Sequence, residues 1–230
     1  MRTARLLVLA VLALLAIAVG AHAAAGPPRP LANLLLSPGL ARAELVLAPQ
    51  GEPQLLRIDR GVIRSLTARS LVLLQRDGTT TTVPIAAGAS VTGRPRGVRR
   101  LRRGMQVATL REGSAPAHRV AVLGGRTLPR PLLRGALGPA LARADVVVAD
   151  ATAVRLFRVD RGRVVAVAPD SLTLLERDGV TATIRLAPDV MVTGPGRGRR
   201  RSAPSFRRGM LVETVRDGDA PAARVHVLRP

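Results

Sequence analysis

Two short stretches hold most of the chemistry this sequence can offer. Arg94, Arg96, Arg99, Arg100, Arg102 and Arg103 crowd one of them; Arg197, Arg199, Arg200, Arg201, Arg207 and Arg208 crowd the other. A planar guanidinium donates two parallel hydrogen bonds to a phosphate or a carboxylate, so a dense group of them suits the capture of an anionic surface or polymer. Like charges at this density repel, and each stretch is expected to be a solvated loop unless an anion neutralises it. A second reading stands beside the first. Every basic residue other than histidine is Arg, and the chain is also rich in Ala, Gly and Pro, so compositional bias alone can fill a polar loop with arginine.

Other chemistry has few residues to work with. There is no Cys, and His22, His118 and His226 are the only histidines, so thiolate zinc sites, disulfides and Cys nucleophiles are excluded. His118 and His226 stand at unrelated places in the repeat described below, and His226, alternating with Val225 and Val227, is expected to face solvent. No metal site and no cofactor are expected. Asp59, Asp77, Asp160 and Asp178 each precede Gly or Arg-Gly and read as turn residues, with Arg60 or Arg161 at most an ordinary surface partner. Met105 and Met210 read as core. No nucleophile, base or phosphate-loop motif is present, so no catalytic residue is assigned and the protein is read as non-enzymatic. Aromatic residues are 1% of the chain, which removes the stacking platform that single-stranded nucleic acid normally requires. Phe206, in the place of Leu101, is expected to plug a core.

The elements that must position the arginines repeat. Pro28-Arg29-Pro30-Leu31 recurs as Pro129-Arg130-Pro131-Leu132, a shift of 101 that also relates Asp59-Arg60-Gly61 to Asp160-Arg161-Gly162 and Arg76-Asp77-Gly78 to Arg177-Asp178-Gly179. After Val91-Thr92-Gly93 and Val192-Thr193-Gly194 the shift becomes 105, matching Arg102-Arg103-Gly104-Met105 to Arg207-Arg208-Gly209-Met210. The length change falls on the arginine stretches themselves, as expected of surface loops. The chain therefore reads as a tandem duplication, with repeats at 28–124 and 129–230 and a hinge near Gly124-Gly125.

Within a repeat the apolar period is two. Leu71 and Leu73 alternate into an Asp77-Gly78 turn, Val83 and Ile85 lie on the return, and Met105, Val107, Val120 and Val122 follow; the second copy does the same. Glu44–Ala48 and Asp145–Ala149 read as an extra strand, and Gly61 and Gly162 as bulge positions. These short strands predict an all-β fold of two tandem small β-barrels. The pattern S-L-x-L-L-x-R-D-G, V-T-G, a variable loop, R-R-G-M-x-V and A-P-x-x-R-V resembles small exported bacterial β-barrel domains of unknown function, often found in tandem. The resemblance covers residues 54–123 and 155–228 and implies a barrel of oligonucleotide-binding-like type, with no chemistry to transfer.

At the amino terminus, Arg2 and Arg5 precede the apolar run Leu6–Val19 and the small residues Ala21 and Ala23. This reads as a signal peptide over residues 1–23, removed after Ala23, with no later segment able to span a membrane. The formal charge is +21, from 36 basic and 15 acidic residues. Taken together the sequence predicts an extracytoplasmic protein, secreted, periplasmic or wall-associated. Its expected partner is an anionic envelope component, lipid head groups or wall polymer, or else another exported protein for which it is a scaffold; nucleic acid is an unlikely partner.

Overall fold

The structure is a computed structural model describing residues 31–94, 97–124, 128–129, 133, 137–194 and 206–229. The expected signal peptide lies outside the described residues, as do Arg96, Arg197, Arg199, Arg200 and Arg201. The fold is all-β. A helix, α1 (Leu31–Leu35), leads into β1 (Leu40–Leu47), β2 (Gln54–Leu66), β3 (Ser70–Gln75), β4 (Thr80–Thr92), β5 (Gln106–Glu112) and β6 (Ala117–Val122). The second half runs through β7 (Leu141–Ala149), β8 (Val154–Ala168), β9 (Ser171–Glu176), β10 (Thr181–Thr193), β11 (Leu211–Asp217) and β12 (Ala222–Arg229). Among the described residues, no helix is long and apolar enough to cross a membrane.

All twelve strands belong to one sheet. In the first half β2, β3, β4, β6 and β5 pair in that order and β5 returns to β2; β4–β6 is parallel and the others antiparallel. The pairings of β8, β9, β10, β12 and β11 repeat this order. Alternation along β3 buries Leu71, Leu73 and Gln75, and along β9 Leu172, Leu174 and Glu176, as a period of two requires. Gly78 (φ 82°) and Gly179 (φ 83°) turn the β3–β4 and β9–β10 hairpins in a conformation that side chains with a Cβ rarely adopt.

The halves meet through their extra strands, which begin earlier than the sequence suggested. β1 pairs antiparallel with β7, placing Glu44 opposite Asp145, Ala43 opposite Val146 and Leu45 opposite Ala144. Glu44 and Asp145 are counterparts at the shift of 101, so exchanging the two halves maps this pairing onto itself: a local two-fold axis passes through that pair. One core cluster draws on both halves, with Leu34, Leu45, Ile58 and Leu110 from the first packed with Leu141, Val146, Phe157 and Val215 from the second. Two further clusters sit within the halves, around Leu73, Leu101 and Val107 and around Leu174, Ile184 and Val212. A continuous sheet and a shared core join the halves; Gly125, in the expected hinge, lies outside the described residues.

Two local expectations are corrected. Gly61 and Gly162 are not the bulges: the register shifts between Ile63 and Ser65 and between Val164 and Ala166. Both glycines instead permit close approach, since a Cβ at Gly61 would lie 2.5 Å from the Leu74 carbonyl oxygen and one at Gly162 2.7 Å from that of Leu175. Asp59 and Asp160 are not in turns either. They lie in the middle of β2 and β8, 5% and 6% exposed.

Candidate functional site

The connection from β4 to β5 carries the first arginine group. A 3-10 turn, Val98–Arg100, lets Val98 and the fully buried Leu101 face the first half's core. Arg94, Arg99, Arg100, Arg102 and Arg103 remain exposed. Arg102 folds back, donating from Nη1 to the carbonyls of Arg99 (2.7 Å) and Leu101 (2.8 Å), so one of the five braces the turn. In the second half, Arg207 and Arg208 are exposed ahead of β11, and Phe206 packs against that half's core as its alignment with Leu101 implied. Arg208 donates from Nε to the Val165 carbonyl at 2.6 Å. None of these seven arginines makes an ion pair among the described residues.

Seven arginines on the strands behave in the opposite way, each with a carboxylate beside it. On β2 Asp59 is bonded by Arg111 Nε at 3.2 Å and by Gln75 Nε2 at 3.3 Å. Arg42 on β1, opposite Asp59 on β2 in the register, reaches to the β3–β4 hairpin, to Gln75 (3.2 Å) and Asp77. Burial pushes the Asp77 carboxyl up, but bonds from Thr79 and the Arg42 charge outweigh it and hold the group below its ordinary value. Its turn role stands, with Arg42 as an anchor the sequence did not reveal.

The second half repeats this network with two changes, Glu176 in place of Gln75 and Val180 in place of Thr79. Arg143 bonds Glu176 at 2.6 Å and Asp178 at 2.7 Å, and Arg216 bonds Asp160 at 3.3 Å. Glu176 stands where the first half has Gln75, and a carboxylate cannot donate to Asp160 as Gln75 does to Asp59. Burial therefore raises the carboxyls of both Asp160 and Glu176, incompletely offset by Arg216 and Arg143. Neither Arg60 nor Arg161 is the surface partner expected. Arg60 is buried and donates to the Ser37 carbonyl at 2.8 Å; Arg161 donates to Gly138 O at 2.8 Å and from Nε to Glu213 at 3.1 Å. Ala108 occupies the position corresponding to Glu213, so buried Arg60 lacks the carboxylate that holds half-buried Arg161.

His226 does not simply face water: Nδ1 lies 2.8 Å from the Thr193 hydroxyl and the side chain is half-buried. Met105 and Met210 pack against their half's core. Among the described residues no group of three or more His, Cys, Asp or Glu is placed to hold a metal ion. No protein-family model, curated protein or solved structure matches this chain.

Proposed function

We propose that this is an exported, non-enzymatic binding module of the cell envelope, its halves folded as two small barrels, which uses the arginine loops to hold an anionic surface or polymer. The observation that supports this reading is the clustering of exposed arginines in the β4–β5 connection and ahead of β11. Among the described residues, Arg94, Arg99, Arg100, Arg102 and Arg103 in the first and Arg207 and Arg208 in the second are exposed and make no ion pair, whereas Arg42, Arg57, Arg111, Arg143, Arg158, Arg161 and Arg216 each pair with a carboxylate. The pairings that close from β5 to β2 and from β11 to β8 fit the barrel reading, and the charged start with its short apolar run fits export through a signal peptide.

Each arginine near an anionic membrane contributes on the order of 1 kcal/mol, so several acting together produce firm attachment at low ionic strength. The expected result is co-sedimentation with phosphatidylglycerol vesicles or teichoic-type polymer at low salt and release near about 0.5 M salt. The variant that decides is Arg94, Arg99, Arg100 and Arg103 to Ser, which spares the bracing Arg102. Its binding should fall far more than that of a variant losing four other exposed arginines, Arg64, Arg69, Arg119 and Arg229. Equal losses would mean that net charge alone is responsible. Binding that persists at high salt would favour the scaffold reading, in which an apolar face meets another exported protein.

A further inference from the structure

A hollow of about 580 Å³ opens where the two halves meet, at the end of β7. Its lining includes the apolar Leu34, Val148 and Phe157 and the cations Arg76, Arg155 and Arg224. That volume lies within the usual range for small-molecule sites, and the mixture of apolar surface with a few converging polar groups is what such sites share.

The arginines of the lining are short of acceptors. Nε of Arg224 is buried and makes no hydrogen bond, while its Nη2 reaches only the thioether of Met191 at 3.8 Å. A buried donor left unmade is costly, and a charged one more so, and structures seldom retain one without a use. Arg76 differs tellingly from its counterpart. Across the two-fold, Arg177 is fixed to the carbonyls of Ala48 (2.8 Å) and Pro49 (3.3 Å), whereas Arg76 makes no such bond and stands open on the hollow. Its charge also bears on buried Arg60, whose pKa is lowered by burial and then by Arg76. The acid in the lining, Asp150, is already committed: it accepts from Thr152 N (2.8 Å), Thr152 Oγ1 (2.7 Å) and Ala153 N (2.9 Å), and is held down to about 2 by these bonds. The hollow is also specific to one side of the seam. Arg155 and Phe157 replace Gln54 and Leu56 of the first half, adding one charge and one ring where the mirror position has neither.

We propose that this hollow binds a small amphiphilic anion, its carboxylate or phosphate head on Arg76, Arg155 and Arg224 and its apolar body against Leu34, Val148 and Phe157. Titration calorimetry of the full chain with octyl phosphate, octanoate, 1-octanol and inorganic phosphate tests it. At least one of the two amphiphilic anions should bind one per chain, at least tenfold more tightly than 1-octanol and than inorganic phosphate. Arg76→Gln, Arg155→Gln and Arg224→Gln should each weaken that binding about tenfold, and Arg119→Gln, the exposed counterpart of Arg224, should leave it unchanged. The loop variant lacking Arg94, Arg99, Arg100 and Arg103 should retain it too, which separates this site from the loops. Because Arg76 is exposed and makes no hydrogen bond or ion pair among the described residues, its variant should keep the parent's melting temperature, so a loss of binding there cannot be a loss of fold. Equal affinity for 1-octanol, equal affinity for inorganic phosphate, absence of saturable binding by either amphiphilic anion, or an equal effect of Arg119→Gln would each overturn the proposal.

Discussion

At the scale of single residues, the most instructive comparison is between two positions that the repeat makes equivalent. Gln75 donates to Asp59, while Glu176, in the same place, shares a buried site with Asp160 and depends on Arg143 and Arg216 for compensation. Carboxyls raised by burial bind protons more tightly in the folded chain than in the unfolded one. Their contribution is thus complete below the unfolded pKa and falls as pH rises through the raised folded values. Asp77 has the opposite sign: its lowered pKa adds stability above the unfolded value, lost as pH falls through the folded one. Glu176→Gln should therefore stabilise the protein at neutral pH by about 1 kcal/mol and flatten the decline above the carboxylate range. Asp77→Asn should cost about 2 kcal/mol at the same pH, since it removes a charge-assisted bond from Arg42. Urea denaturation at pH 4 and pH 7 reads both; a Glu176→Gln protein that loses stability at pH 7 would show that the carboxylate is a net asset.

At the scale of elements, close strand approach decides what β2 and β8 tolerate. Gly61→Ala should cost about 2–3 kcal/mol, because the new methyl meets backbone rather than a movable side chain. Gly88→Ala, in open space on β4, should stay within about 0.5 kcal/mol of the parent. Thermal midpoints that fall together would contradict this contrast. The strands themselves were legible because Leu71, Leu73, Val83 and Ile85 alternate cleanly and Asp77-Gly78 marks its turn locally. Asp59 and Asp160 were misread for a physical reason: their neighbours Arg60-Gly61 and Arg161-Gly162 look like turn formers, and the arginines that make burial tolerable, Arg111 and Arg216, come from strands 52 and 56 residues further on. The exposed loop arginines were visible as a run of charge, but the hollow at the seam was not. Its lining comes from α1, the β3–β4 turn, β7, β8 and β12, which no local pattern assembles.

At the scale of the whole molecule, the β1–β7 seam makes a prediction that a hinged pair of units would not. If a protease site is placed at residues 125–127 and the chain is cut there, the two pieces should still elute together under native conditions and separate only in denaturant. Separation on cutting alone would show that the shared core around Leu45, Ile58, Val146 and Phe157 is too weak to hold the halves. The two-fold through Glu44 and Asp145 carries one more consequence. A pairing that maps onto itself is the isologous contact of a symmetric homodimer, here enclosed in one polypeptide. Fusion removes the dependence of that contact on concentration, and it lets the two sides diverge, so that Arg155 and Phe157 can shape one flank without imposing the same change on the other. It also leaves a liability in any truncated product: a chain ending before β7 would present β1 as a bare edge, ready to pair with a second copy of itself.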